Sequence, residues 1–187
     1  MKIIARVFAT ALFLCLASMG SVKANVTFVG DPSAQKALVA VCDRLPACCR
    51  AKASICVKLL NDREMNAYLA RASGAANIRY DAIDGVYDDD LSTIALRLTS
   101  PNDDVSATFA HEYGHFVWQR ILTKDQRKRY EQDYKAELRA RNLITTYAAI
   151  SLEEGFAETF SAYVLTPSAV AVKCPASCHC LDELLRL

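Results

Sequence analysis

The sequence predicts an α+β fold in one domain. A small mixed sheet with helices comes first, followed by a mainly helical C-terminal half. Three observations carry this. The 187 residues match the size of a single domain. Short apolar, β-branched runs bounded by turn residues are confined to the first hundred positions. From Asn102 onward apolar residues recur at helical spacing between capping and breaking residues. Hydrophobic residues make up 52% and charged residues 23%, which excludes an intrinsically disordered chain. Lys and Arg total 22 against 21 Asp and Glu, a net charge of +1 without the basic excess of a nucleic-acid binder.

Residues 1–24 read as a secretory signal peptide. Lys2 and Arg6 form a basic start, residues 7–17 are apolar, and Val22-Lys23-Ala24 resembles an A-x-A cleavage site. The apolar stretch is shorter than the ~20 residues of a spanning helix, and Leu12-Phe13-Leu14 before Cys15 is a poor lipoprotein acylation site. Cleavage after Ala24 leaves one domain over residues 25–187, with net charge −2 and seven cysteines. The expected location is secreted or periplasmic, with no membrane attachment after cleavage. Cys42, Cys48, Cys49 and Cys56 form one cysteine cluster and Cys174, Cys178 and Cys180 another. In an exported chain such clusters predict disulfide bonds, with one thiol left free or in an intermolecular bridge. A competing reading makes Cys174, Cys178, His179 and Cys180 a metal site, although their spacing matches no strong zinc pattern.

Asp31-Pro32-Ser33 starts a helix whose apolar residues Leu38, Val41, Cys42 and Leu45 run to Pro46. Residues 54–60 read as a strand, 63–72 as a short helix and 78–83 as a second strand. Asp84-Gly85 is a turn signal, Asp88-Asp89-Asp90 a solvated loop and residues 91–98 a further strand. Asn102 or Asp103 caps a helix reaching about Leu122. Residues 124–141 form a highly charged helix whose interleaved acids and bases describe a solvated face rather than a polyanion site. Ser151 caps a helix over 152–165, with Glu154 at capping-box spacing and Pro167 as its stop.

The chemistry concentrates in His111-Glu112-Tyr113-Gly114-His115. Helical residues four apart project about 40° from each other, so both imidazoles can face one ion. Glu112 lies beside that face, where it can take a proton from a metal-bound water. This is the H-E-x-x-H arrangement, which suits one zinc ion per chain held by neutral imidazoles and a carboxylate. Phe109, Ala110, Phe116 and Trp118 make the helix apolar and central, and Gly114 within it implies close packing. His179, the remaining histidine, lies within a cysteine cluster, which favours a carboxylate as third ligand. Glu153, Glu154 and Glu158 are the nearby acids. Glu154 and Glu158 share a face, and Glu153 points about 100° away.

His111–His115 together with Glu154-Gly155-Phe156-Ala157-Glu158-Thr159-Phe160 resembles the catalytic core of the anthrax lethal factor-like zincins, a group that includes secreted Pro-Pro endopeptidases. Tyr147 stands seven residues before Glu154, as in that pattern. The resemblance covers roughly residues 85–165. It implies a zincin-like metallopeptidase domain acting on peptide or protein substrates, with His111, His115 and Glu154 as zinc ligands. Glu112 would be the general base, Tyr147 the hydrogen-bond donor to the developing oxyanion and Glu158 a support for a ligand. It also implies that the strand over residues 91–98 pairs with an extended substrate. The expected form is a monomer. The alternative is a non-catalytic exported module stabilised by zinc or disulfides, which would need neither Glu112 nor Tyr147.

Overall fold

The computed structural model describes residues 25–73, 82–100 and 104–185. The proposed signal peptide and most of the expected strand at 78–83 lie outside them. The described chain is mixed α+β, with a four-stranded sheet followed by a run of helices.

The sheet comprises β1 (Asn25–Val29), β2 (Ser54–Leu60), β3 (Gly85–Asp88) and β4 (Thr93–Arg97), in the order β1-β2-β4-β3. β1, β2 and β4 are parallel, whereas β3 runs antiparallel to β4. Every residue of β4 is buried, as expected for a strand paired on both edges. The Asp84-Gly85 turn expected from sequence is displaced, because Gly85 already belongs to β3. Arg97, buried at the end of β4, fixes the segment ahead of β3. Its Nε donates to the Ile83 carbonyl at 2.9 Å, and its Nη atoms donate to Asp62 and Asn66.

The helices in the sheet half are α1 (Pro32–Arg44), α2 (Ala47–Lys52) and α3 (Asp62–Ser73). Asp31 caps α1 by accepting from the Ser33 and Ala34 amides, and Pro32 occupies its first turn. The helical half comprises α4 (Ser106–Phe116), α5 (Lys124–Ala140), α6 (Leu152–Leu165), α7 (Pro167–Lys173) and α8 (Pro175–Leu185). Asn102 and Asp103, expected to cap α4, fall outside the described residues. Asp104 accepts from the Ser106 amide instead. Pro167 ends α6 and also opens α7, and the C-terminal cysteine cluster is helical. These two helices were not evident from sequence, nor were α2 and β1.

One main core joins the sheet to the helices. Leu38, Ile55, Val57 and Ile94 meet Phe109, Tyr113, Phe156 and Phe160 within it. Tyr113 and Phe160 stack across α4 and α6, and Trp118 packs on Phe156 and Tyr130. As the mixed signs predict, α5 carries the pairs Arg129–Asp133 and Lys135–Glu131 on its outer face while burying Tyr130 and Tyr134. None of the seven cysteines among the described residues is joined in a disulfide bond. The expected disulfides are therefore not formed here, although α2 and α8, which carry cysteines of the two clusters, meet, with Cys48 Sγ donating to the Leu185 carbonyl at 3.1 Å.

Candidate metal centre

The site depends on how closely α4 approaches α6. Both helices pack an apolar face inward, and Gly114 removes the side chain that would separate them. A Cβ on Gly114 would lie 2.8 Å from the Ala157 Cα, a contact no side-chain rotation relieves. At that approach His111 and His115 on α4 face the first turns of α6.

Three donor atoms converge. His111 Nε2 and His115 Nε2 are 3.1 Å apart, and Glu154 Oε2 lies 3.2 Å from the first and 3.5 Å from the second. Tetrahedral zinc, with ligand bonds of about 2.0–2.1 Å, spaces neighbouring donors about 3.3–3.4 Å apart. Glu154 Oε2 is buried and has no hydrogen-bond partner. A buried carboxylate oxygen without a donor is costly unless a cation meets it. These three residues form the one group of His, Cys, Asp or Glu among the described residues that can hold a metal ion. The residues present therefore fit a divalent cation such as zinc. The rival cluster around His179 does not form such a group, and His179 instead lies 3.2 Å from Glu183 on the surface.

Each imidazole is held from behind by a carboxylate. His111 Nδ1 is 2.8 Å from Glu158 Oε1, and His115 Nδ1 is 3.3 Å from Glu153 Oε1. A carboxylate on Nδ1 keeps that nitrogen protonated and turns the Nε2 lone pair toward the shared point. The Glu158 contact follows the sequence expectation, whereas the Glu153 contact corrects it. Glu153 does leave the face shared by Glu154 and Glu158, but α4 crosses there and brings His115 to meet it. Thr145, also unforeseen, lies beside Glu158 and favours its charged form. With the His111 bond, this holds the Glu158 carboxyl below the usual range against burial. For His111, burial favours the neutral ring, but the Glu158 bond and the charges of Glu112, Glu158 and Glu154 outweigh it and raise its pKa.

Glu112 is only 7% exposed. Burial raises its carboxyl pKa, opposed by His115, His111 and the Tyr87 amide. β3 passes directly over it. A Cβ on Gly85 would stand 2.9 Å from the Glu112 Cγ and 2.6 Å from the Thr108 Cγ2. The strand at the site is thus β3, at the sheet edge. β4, expected to pair with substrate, has both edges occupied.

Tyr147 sits in a 3-10 turn (Tyr147–Ala149) before α6, half exposed, with its ring centroid 6.0 Å from that of His111. Burial and the charges of Glu154, Glu112 and Glu158 raise its pKa, so the phenol stays protonated and able to donate. Tyr130 and Tyr134 do not compete for this role. Their hydroxyls are committed to the Gly155, Ala148 and Ser151 carbonyls and to Thr159. An open cleft of about 610 Å³ runs beside the centre, lined by Ile83, Thr108, His111, Glu112, Tyr147 and Glu158 among others. The arrangement thus combines a ligand triangle, a buried carboxylate, a phenol donor and room for a chain segment. No protein-family model matches the sequence, and no curated protein matches it.

Proposed function

We propose that this protein is an exported zinc-dependent endopeptidase, built as a zincin-like domain and similar to the anthrax lethal factor-like group. The observation that carries the reading is the triangle of His111 Nε2, His115 Nε2 and Glu154 Oε2, whose carboxylate oxygen is buried without a donor. Zinc held there would lower the pKa of a bound water and polarise a peptide carbonyl.

The surrounding residues supply the remaining chemistry. Glu112 takes the proton of the attacking water and hands it to the leaving amine, a task suited to a carboxyl whose pKa burial has raised. Tyr147 donates a hydrogen bond to the oxyanion that develops on the carbonyl. Glu158 and Glu153 keep the two imidazoles in the ligating tautomer. Among the described residues β3 is an edge strand and its Gly85 lines the cleft, so an extended peptide can pair beside it and the substrate is an unstructured polypeptide segment.

Export is supported by the first 24 residues of the sequence, and among the described residues no helix is long and apolar enough to cross a membrane. Zinc analysis of the purified chain should give one ion per molecule. Glu112→Gln should retain that ion and lose hydrolysis of a randomised peptide library. A wild-type chain that binds zinc but cleaves no peptide would leave the non-catalytic module as the better reading. Thiol titration of the secreted chain would show whether export oxidises the two cysteine clusters.

A further inference from the structure

α4 does not end as an ordinary helix. Residues Val117–Ile121 widen into a π-turn, with the Leu122 amide returning to the Val117 carbonyl at 3.0 Å. Such turns are scarce and often mark functional sites. Three consecutive residues of this one are tied to three different elements. The Trp118 carbonyl accepts from Arg127 Nη1 of α5 at 2.7 Å. Arg120 reaches the turn between β3 and β4, donating to the Asp89 carbonyl at 2.8 Å and pairing with its carboxylate. Between them Gln119, four residues past His115, donates from Nε2 to Glu153 Oε1 at 2.7 Å.

That same oxygen of Glu153 meets His115 Nδ1. We propose that Gln119 is a positioning residue for the metal centre. It fixes the Glu153 carboxylate, which in turn fixes the plane and tautomer of His115, so that Nε2 points at the ligand position. This rests on the reading of His111, His115 and Glu154 as a metal site.

The two imidazoles differ in how much help they need. Glu158, behind His111, is 19% exposed and lies 2.8 Å from that imidazole. Glu153, behind His115, has a side chain 38% exposed. A glutamate that open to water samples several rotamers unless a second bond holds it. Gln119 supplies that bond from a backbone anchored on both sides.

The test is zinc affinity of the purified full chain, measured by competition with a chromophoric chelator. Removal of a carboxylate behind a ligating imidazole typically weakens metal binding about 10–100-fold, and Glu153→Ala should fall in that range. Gln119→Leu acts at one further remove and should weaken binding by roughly 3–10-fold. Combining it with Glu153→Ala should add no further loss, since its effect passes through Glu153. Gln119→Lys restores a donor and should recover most of the affinity. The cobalt-substituted Gln119→Leu chain should show an altered visible spectrum, which a packing role would not produce. Unchanged zinc affinity in Gln119→Leu, or additive losses in the double variant, would overturn the positioning role. A wild-type chain that binds no zinc would instead overturn the reading of the site.

Discussion

Glu154 Oε2 is where the site's chemistry and its cost meet. The oxygen is out of water, accepts no hydrogen bond and faces two imidazole nitrogens. A buried charge in that state destabilises the metal-free chain. Glu154→Gln should therefore leave the metal-free protein at least as thermally stable as the wild type while weakening zinc binding by on the order of 100-fold or more. Calorimetry with and without zinc measures both. Tyr147 is half exposed in the short turn before α6 and is not one of the three converging donors, so Tyr147→Phe should preserve zinc content. If Tyr147 is the oxyanion donor proposed above, its loss should lower kcat by about 100–1,000-fold with KM little changed. Peptide hydrolysis kinetics separate the two constants. His111, Glu112 and His115 were legible from helical spacing, which also put Glu154 and Glu158 on one face; the separate roles of those two acids, and that of Tyr147, were implied only by the family resemblance. The roles of Glu153 and Gln119 were not legible, because their partners are chosen by where a second helix crosses. The i,i+4 spacing of His115 and Gln119 was the available signal.

Elements were legible where their local chemistry was unambiguous. β2, α1, α5 and α6 lie within two residues of the ranges read from sequence, each bounded by a cap, a proline or a change of periodicity. β3 was missed, its residues reading as a turn and a solvated loop, because Gly85 and Asp88 are weak strand formers and the strand exists by pairing with β4. α7 was missed because Pro167 read as a stop, whereas it serves in the first turn of α7; α8 likewise opens on a proline, Pro175. The start of α8 also depends on a distant residue. Glu137 of α5 accepts from the Ala176 and Ser177 amides at 2.9 and 3.1 Å and from the Ser177 hydroxyl. Glu137→Ala strands these buried donors and should cost about 2–4 kcal/mol in chemical denaturation. The contact between α4 and α6 is equally sensitive. Gly114→Ala gains up to about 1 kcal/mol of helix propensity but drives a methyl group into the Ala157 backbone. The net result should be a loss of about 1–3 kcal/mol. It should also weaken zinc binding, because the clash lies midway along the face that joins the ligands.

Across the whole molecule, the division into a mixed half and a helical half could be read from sequence because periods of two and 3.6 residues look different. The strand order β1-β2-β4-β3 could not, since pairing is settled by contacts distant in sequence. The candidate metal centre joins structures that the chain order separates. Its histidines lie on α4, which packs against the sheet, while Glu154 lies on α6 among the later helices. An ion held by both helices binds the folded chain and not the unfolded one, so its binding energy adds to stability. At a free zinc concentration about 1,000 times the dissociation constant, the gain is about 4 kcal/mol. For a chain of this length each kcal/mol shifts Tm by about 2–4 °C, so saturating zinc should raise it by roughly 8–16 °C. Chelation with EDTA should reverse the rise, and the same zinc excess should move Glu154→Gln far less. Because the ligands span α4 and α6, hydrogen exchange should slow in both helices together on zinc addition. A rise in Tm with protection confined to one helix would mean that zinc binds elsewhere on the protein.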